Sequence, residues 1–403
     1  MTNNLTIRVI RTEAEIEEIR PLWKAWQRHP NADIDFYLMI QRLRPNVLRP
    51  HIILVSADGA PGAMLIGRIE QGRMECSIGY KSLFAPRVRI MSFIHGGLLG
   101  NVSEEASDAL VNSIMQSLKE GDADLARLHF LRADSAIYPA IRKRVGFPCR
   151  DRFPMVQQHW RIEMAATMQD LLAGLSSDHR WELRKKSKKL LADHSKVRME
   201  CLRKPEDFEP IFRDAEQVAK QTYQRGLGAG FIDSAEMRRI VDLEIRSGWH
   251  RTFLLYIDDQ PTAFWIGNVY EGTFYSSHLG YLSKYDKYSP GTFLMVRAIE
   301  ELLNSGIREV DFGLGDARYK QRFGNCSWQD RSVQIFAPTL RGGALNALRT
   351  PIMGADRMAR NILARTDLLA RIKKLWRDSR RQSASDKTRL QKESVGIRAA
   401  QEY

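Results

Sequence analysis

Residues 281–323 have the sequence YLSKYDKYSPGTFLMVRAIEELLNSGIREVDFGLGDARYKQRF, in which a turn, an amphipathic helix, a strand and a polar turn follow in succession. Ser289 is the predicted N-cap, and Pro290 suits the first helical position because proline has no N–H to leave unpaired. Apolar residues then recur at helical spacing until Asn304, Ser305 and Gly306 end the helix.

The helix is followed at once by a short strand. Residues 307–312 predict this strand, with Val310 and Phe312 on one face and Glu309 and Asp311 on the other. A helix that runs directly into a strand predicts an α/β unit.

A turn that opens onto a helix aims backbone N–H groups and the positive end of the helix dipole at one point. Gly291 lets backbone or ligand approach closely at this point. A second glycine-containing polar turn, residues 313–320, follows the strand. Together the two turns predict a site for a nucleotide-like ligand that carries phosphate.

The motifs YSPGTFL and DFGLGDARYKQRF resemble the signature of the CelD-like branch of the GNAT acyltransferases, which is distantly similar to FemAB-like aminoacyl transferases. The resemblance extends from about Trp160 to about Arg331 and includes SSDHRWELRKKSKKL. It implies that the turn before the central helix binds the pyrophosphate of coenzyme A through Tyr288, Ser289, Pro290, Gly291 and Thr292. The usual glycine-rich pyrophosphate loop is replaced here by DKYSPG at residues 286–291.

Acyl transfer from a thioester to an amine needs a base, donors for the developing oxyanion and an acid for the leaving thiolate. The resemblance points to Tyr319, just beyond the strand, as the acid. His278 is the first candidate for the base, because it lies near the place where GNAT strands separate and titrates near neutral pH. Asp311, Asp316 and Tyr275 are rival candidates.

Further charged residues of the second turn have predicted binding roles. Lys320 and Arg318 are expected to contact phosphate or an acidic acceptor, and Asp316 is a candidate for binding the acceptor amine. We expect no metal, since Cys76, Cys149, Cys201 and Cys326 lack the spacing of a zinc site or a disulfide framework. Hydrolase, zincin, NTPase and dehydrogenase motifs are also missing from the sequence.

The composition indicates a folded globular protein. The chain has 403 residues, 43% of them hydrophobic and 27% charged, and is long enough for two cores. The N-terminus lacks the features of a secretory signal, and no stretch of about 18 apolar residues occurs. We therefore expect a cytoplasmic protein, with peripheral contact at the inner membrane surface as an additional expectation.

The net charge of +14 is concentrated in the C-terminal tail, because residues 340–403 contain 15 Lys or Arg against 6 Asp or Glu. In this tail Met358, Ile362, Leu369, Ile372 and Trp376 recur at helical spacing among basic residues. The pattern suits a membrane surface or a partner helix, and packing against the protein's own body is an equal alternative. Residues beyond about Asp378 are expected to be disordered.

The order of predicted elements indicates an α/β (α+β) fold with two GNAT-like halves, each a mixed twisted sheet flanked by helices, and a basic helical tail. The predicted domains are an N-terminal half without cofactor (1–155), a catalytic half (156–338) and the tail (339–403). The element predictions that support them are a strand at 5–10, helices at 12–27, 33–43 and 103–119, hairpins at 51–70 and 252–270, and strands at 125–131 and 273–280.

A predicted helix at residues 176–190 carries a dense set of cations, namely Arg180, Arg184, Lys185, Lys186, Lys188 and Lys189. Two interpretations stay open for this cluster: a solvated helix face, or a cationic wall for an anionic acceptor or for coenzyme phosphates.

The resulting prediction is an N-acyltransferase of the GNAT type. Its expected donor is acyl-CoA, and its expected acceptor is a small-molecule amine, such as an amino sugar or amino acid of surface-polysaccharide metabolism. One alternative is a FemAB-like transferase that uses aminoacyl-tRNA, the only case in which we expect a nucleic-acid partner. The other is a non-catalytic GNAT-like scaffold.

Overall fold

The computed structural model describes residues 5–79, 81–222, 225 and 230–365. The described chain divides into two compact units. The first contains Met1–His159 and Trp328–Arg365, and the second contains Trp160–Ser327. The predicted division into three domains stays a prediction.

The strands, in chain order, are β1 (Leu5–Ile10), β2 (Val47–Ala57), β3 (Ala60–Arg73), β4 (Cys76–Ile78), β5 (Lys81–Phe84), β6 (Arg87–Gly100), β7 (Leu125–Arg132), β8 (Met155–Glu163), β9 (Val197–Leu202), β10 (His250–Ile257), β11 (Gln260–Tyr270), β12 (Thr273–Tyr281), β13 (Glu309–Leu314) and β14 (Cys326–Phe336).

The α-helices are α1 (Glu13–Glu18), α2 (Arg20–Trp26), α3 (Ile34–Leu43), α4 (Glu104–Lys119), α5 (Ile137–Arg144), α6 (Met168–Ala173), α7 (Ser177–Asp193), α8 (Phe208–Ala219), α9 (Ala235–Arg246), α10 (Pro290–Asn304), α11 (Arg318–Phe323) and α12 (Leu340–Arg365). Short 3-10 helices cover Pro30–Ala32, Phe147–Cys149, Pro205–Asp207 and Ser283–Tyr288.

The sheet of the first unit has the strand order β1-β2-β3-β6-β7-β14, and the sheet of the second unit has the order β8-β13-β12-β11-β10-β9. Each sheet is mixed, since β6 and β7 are parallel in the first unit and β12 and β13 are parallel in the second. The predicted fold class, mixed α/β with sheets flanked by helices, is confirmed.

The last strand of each sheet comes from an unexpected place in the sequence. Strand β8 follows α5 of the first unit, but its residues Trp160–Glu163 belong to the second unit, where β8 lies next to β13. Strand β14 follows α11 of the second unit but pairs with β7 of the first. No local pattern predicts these positions, because the choice of neighbouring strand depends on long-range pairing and not on the residues within β8 or β14.

Both faces of each sheet are covered by helices. In the second unit, Phe253, Leu255 and Ile257 of β10 pack in one cluster with α10, whereas Leu254 and Tyr256 pack in another with α8 and α9. Because successive strand residues point to opposite faces, α10 lies on one face of this sheet and α8 and α9 lie on the other.

The parallel strands of the second unit separate after a short contact. In β12 and β13, the first residue pair is Thr273 with Glu309 and the last is Tyr275 with Asp311. Among the described residues, the pairing of these two strands ends at that point. Immediately beyond, the register between β11 and β12 shifts, so that Ser277 is an extra residue in β12. A bulge bends its strand, which accounts for the divergence. The start of α10 lies beside the end of β12, since a Cβ at Gly291 would lie 3.1 Å from the Tyr281 ring.

The first unit has the corresponding arrangement. Strands β6 and β7 pair only over Ile90–Phe93 and Leu125–Leu128, and the register between β3 and β6 is irregular just beyond Phe93. Helix α4 follows β6 as α10 follows β12, but its first turn carries Glu104 and Glu105. Two carboxylates at a helix N-terminus disfavour the binding of an anionic ligand there.

Most predicted elements are confirmed within a few residues, and three details are wrong. The helix predicted over 12–27 is two helices that meet at Ile19, because Pro21 starts a new helix; a capping box of Thr12 and Glu15 starts the first of them. The strand predicted over 307–312 is displaced to Glu309–Leu314. Asp311, predicted on a polar face, is buried at 5% exposure.

The C-terminal tail is described only as far as Arg365, where α12 belongs to the first unit. The predictions for Leu369, Ile372 and Trp376, and for disorder beyond Asp378, lie outside the described residues. In the described ranges, no helix is both long and apolar enough to span a bilayer.

Candidate active site

The turn at Ser289 joins β12 to α10 and differs from an ordinary N-cap. Ser289 lies at the N-cap position with φ 52° and ψ 59°, a left-handed conformation, and its side chain does not cap the helix. The predicted capping role of this side chain is therefore wrong. Its Oγ instead accepts a hydrogen bond from Lys186 Nζ at 2.7 Å. Left-handed backbone at a residue with a side chain is strained and is concentrated at ligand sites.

Pro290 is the first residue of α10, as predicted. The amides of Thr292 and Phe293 both donate to the Ser289 carbonyl at 3.0 Å. The amide of Gly291, also in the first turn of α10, does not donate to this carbonyl. A Cβ added at Gly291 would lie 3.1 Å from the Tyr281 ring. Glycine is therefore the residue that fits this close approach.

Tyr288 is buried at 2% exposure, and its hydroxyl donates to Asp193 Oδ2 at 2.7 Å. The hydrogen bond ties the end of α7 to the turn. In the structure, Tyr288 therefore positions the turn. Its direct contact with pyrophosphate, which the resemblance implied, stays a prediction.

Helix α7 presents a row of charged residues to the same region. They recur at spacings of three and four residues and so share one helix face. With cations from the 3-10 helix before α10 and from α11, they line a groove of about 490 Å³: Asp178, Trp181, Glu182, Lys185, Lys186, Lys189, Lys287, Arg318 and Arg322. Cations outnumber carboxylates in this lining, so the groove favours anions.

A carboxylate organises the part of the groove nearest to the turn. Glu182 lies 2.6 Å from Lys186 Nζ and 2.6 Å from Arg322 Nη2. Hydrogen bonds from these two cations lower the pKa of Glu182 to about 2. The contacts hold both cations beside a smaller cavity of about 60 Å³ that is also lined by Ser289 and Thr292.

The other cations predicted as a wall on α7 do not all reach the groove. Arg180 Nη1 donates to the carbonyls of Ala173 and Leu175, each at 2.6 Å, and so closes the end of α6. Lys188 is exposed and absent from the groove lining. Of the predicted wall, Lys185, Lys186 and Lys189 line the groove, and both interpretations from the sequence stay predictions.

Asp311 lies at the last paired position of β13. Its Oδ1 accepts from the Gly313 amide at 2.7 Å, and its Oδ2 lies 3.6 Å from Arg161 Nη2. Opposite it, burial raises the pKa of Tyr275 to about 12. These contacts place both rival base candidates where the strands separate.

Lys320 has a different environment from the predicted one. It is buried at 8% exposure, and its ammonium donates to the carbonyls of Phe312 and Leu314, each at 2.6 Å. Burial lowers its pKa to about 8. These bonds fix the end of β13, and the predicted contact of Lys320 with phosphate stays a prediction.

The remaining candidates of the second turn are more accessible. Tyr319 packs edge-on against Phe312, with ring centroids 5.6 Å apart, on the α10 face of the sheet. Asp316 is exposed, and Trp160 Nε1 approaches its Oδ1 at 3.5 Å. This distance is too long for a strong hydrogen bond.

His278 lies on the other face of the sheet. It is opposite Ile266 in the β11–β12 register, and its ring meets Phe231 edge-on at 5.8 Å. Ile266 and Phe231 belong to the cluster with α8 and α9. Burial lowers the pKa of His278. The two residues predicted as acid and base are thus on opposite faces, and their catalytic roles stay predictions.

Sequence reasoning missed Glu182, Arg322 and Trp181. A signal was available, because Asp178, Trp181, Glu182, Lys185, Lys186 and Lys189 form one helical face. The sequence does not show that Arg322 lies close to Glu182 in space, because the two residues are 140 positions apart along the chain. In the described ranges, no three His, Cys, Asp or Glu side chains are arranged to hold a metal ion.

Comparisons with known proteins agree with this geometry. Residues 177–321 match the family model described as an acetyltransferase (GNAT) domain. The match lies inside the second unit and includes α7, the Ser289 turn and most of α11. No curated protein matches the sequence.

Solved structures are similar to this chain at low sequence identity. FemX is similar over 82% of this chain and 97% of its own, with 10% identity and a TM-score of 0.53. A tandem GNAT protein from the clavulanic acid biosynthesis pathway is similar over 83% of this chain and 99% of its own, with 9% identity and a TM-score of 0.46. A GCN5-related N-acetyltransferase from Sphaerobacter thermophilus is similar over 84% and 98%, with 12% identity and a TM-score of 0.40.

Proposed function

We propose that the second unit is an N-acyltransferase of the GNAT type that moves an acyl group from acyl-CoA to the nitrogen of a small amine. The observation that carries the proposal is the divergence of β12 and β13 beside the start of α10. An opening between parallel strands, adjacent to a helix N-terminus, is a place where α/β folds hold phosphate-containing ligands.

The donor's diphosphate is assigned to the Ser289 turn. The Gly291 amide, the dipole of α10 and the ammonium of Lys186 act on the same point. The remaining cations of the groove are available to the nucleotide end of the donor, which carries a further phosphate. In the first unit the acidic start of α4 disfavours such a ligand, which supports a donor site in the second unit alone.

The pantetheine arm is assigned to the opening between β12 and β13. Beyond Tyr275, the edge of β12 is not paired with β13 in the register of this unit, so its backbone N–H and C=O groups can bond the amides of an extended ligand. The thioester then lies near Tyr275 and Asp311.

In the reaction the amine nitrogen attacks the thioester carbon, the C–S bond breaks, and the thiolate takes a proton. Tyr319 is the proposed proton donor. The proposed base is His278, with Asp311, Asp316 and Tyr275 as rivals. The acceptor proposed is an amino sugar or amino acid of surface-polysaccharide metabolism.

A FemAB-like reaction with aminoacyl-tRNA is the second candidate, favoured by the cationic face of α7. The two donors differ in their dependence on salt. RNA contacts by several cations weaken steeply as salt rises, whereas one diphosphate engages few of them.

The test combines donor binding and turnover. Coenzyme A is titrated by calorimetry at two salt concentrations, and thiol release from acetyl-CoA is followed with a panel of amines. Tyr319→Phe removes only a hydroxyl and is expected to lower kcat by about 10²-fold or more, while Tyr285→Phe serves as the matched control. Failure of coenzyme A to bind, together with salt-sensitive binding of tRNA, would replace this proposal by the second candidate. Absence of turnover with either donor would favour the remaining alternative, a non-catalytic GNAT-like scaffold.

A further inference from the structure

Helix α12 presents a continuous apolar stripe to solvent. The stripe consists of residues spaced three or four apart, all of them exposed: Leu340, Ala344, Leu348, Pro351, Ala355, Met358 and Ile362. Its large side chains are strongly exposed, at 96% for Leu340, 51% for Leu348, 66% for Met358 and 52% for Ile362. This spacing keeps the whole set on one side of the helix.

The opposite side of α12 fixes its orientation. Leu345, Asn346, Arg349 and Asp356 are buried within the first unit. Arg349 Nη1 bonds Asp151 Oδ1 at 2.6 Å, and Asn346 Nδ2 donates to the carbonyls of Pro148 and Arg150 at 2.7 and 3.0 Å. The helix therefore cannot bury its apolar stripe by rotating without breaking this buried network.

The charge around the stripe has one sign. Between Leu340 and Ile362, every exposed residue of α12 that is not apolar is Arg341, Arg357, Arg360 or Asn361. The single carboxylate of α12, Asp356, points inward, where it accepts from the Gly79 amide at 2.8 Å and from Arg360 Nε at 2.7 Å. The helix therefore has no exposed carboxylate that would repel an anionic surface.

We propose that α12 is a membrane-docking helix that lies in the interface of an anionic lipid bilayer. In this arrangement the apolar stripe enters the boundary between headgroups and acyl chains, and the arginines contact lipid phosphates. The adjacent hairpin of β4 and β5, where Leu83 is 50% exposed, adds apolar surface to the same unit. This proposal does not depend on the donor assigned to the second unit.

A second copy of the chain fits this surface less well than a bilayer does. Pairing two identical stripes would bring arginines of like charge together, while the carboxylates beside them are already engaged, Asp124 with Arg341 and Asp356 with Arg360. An anionic bilayer instead complements the charge of residues 340–403, which carry 15 Lys or Arg against 6 Asp or Glu.

The experiment is co-flotation of the full chain with vesicles of phosphatidylcholine alone or mixed with phosphatidylglycerol. Wild type is expected to float with the mixed vesicles and not with phosphatidylcholine alone. The double variant Met358→Asp with Ile362→Asp is expected to weaken flotation by at least about tenfold, since it puts charge into the stripe that the bilayer buries on docking.

The matched control is Met155→Asp with Leu191→Asp, which adds the same charge at two residues that are 48% and 51% exposed elsewhere. It is expected to float like wild type, and circular dichroism checks that both variants stay folded. Equal flotation of the two double variants, or no binding by wild type, would overturn the proposal. So would a concentration-dependent dimer that only the α12 variant abolishes.

Discussion

Replacing Lys186 by alanine tests the anion site with a single side chain. The Lys186 ammonium contacts Ser289 Oγ at 2.7 Å and Glu182 at 2.6 Å, and its side chain is 33% exposed. A hydrogen bond to a charged group contributes about 1.5–3 kcal/mol. Solvent and Glu182 already compensate part of this charge, so we expect a loss of about 1–2 kcal/mol, or about 5- to 30-fold in affinity for coenzyme A.

The assay is calorimetric titration of coenzyme A at fixed ionic strength, with Lys188→Ala as the control. Lys188 lies on the same helix, carries the same charge and is exposed outside the groove. We expect this control to change affinity by less than about twofold, because only screened long-range attraction is lost. Equal effects of the two substitutions would refute the assignment of the Ser289 turn, since general electrostatic attraction would then explain binding.

Four further predictions concern stability and pH. Because the folded-state pKa of Glu182 is about 2 against an ordinary 4.5, its contribution to stability is present above pH 4.5 and lost as pH falls towards 2; Glu182→Gln should flatten this part of the curve in denaturant titrations. Lys320→Met leaves two buried carbonyls unpaired and should cost about 2 kcal/mol by urea denaturation, against no change if the ammonium is dispensable. Asp151→Asn breaks the buried pair with Arg349 and should cost about 3–5 kcal/mol, so a thermal midpoint equal to wild type would argue against this network. If His278 is the base, burial that lowers its pKa places the acidic limb of kcat/KM below pH 6.5, with activity lost as pH falls, and His278→Gln should remove that limb.

The local structure of the site was predictable because its signals are local. Pro290 marks the start of α10, the Thr12–Glu15 box marks the start of α1, and Gly306 follows the end of α10 at the expected place. Each of these depends on backbone groups within a few residues. The positive φ of Ser289 was not predictable, since serine more often serves as an ordinary N-cap.

The long-range features were beyond the sequence. Alternation does not reveal that β8 joins the sheet of the second unit or that β14 joins that of the first. The pairing of Arg322 with Glu182 also depends on tertiary packing. The burial of Lys320 was also beyond the sequence, because a lysine after a glycine-containing turn gives no local sign that backbone carbonyls will be its partners.

A truncation cannot test the role of the C-terminal tail by itself. Removing residues 340–403 would delete α12 together with Arg349 and the buried Asn346. Such a truncation confounds loss of docking with loss of folding, and substitutions on the exposed stripe avoid this problem.

A crystal structure of the protein with coenzyme A tests the central claim most directly. We expect the diphosphate at the Ser289 turn within hydrogen-bond distance of the Gly291 amide and Lys186 Nζ, and the pantetheine arm between β12 and β13. A diphosphate bound elsewhere, or an opening between these strands that stays filled by side chains while coenzyme A is bound, would contradict the proposed acyltransferase site.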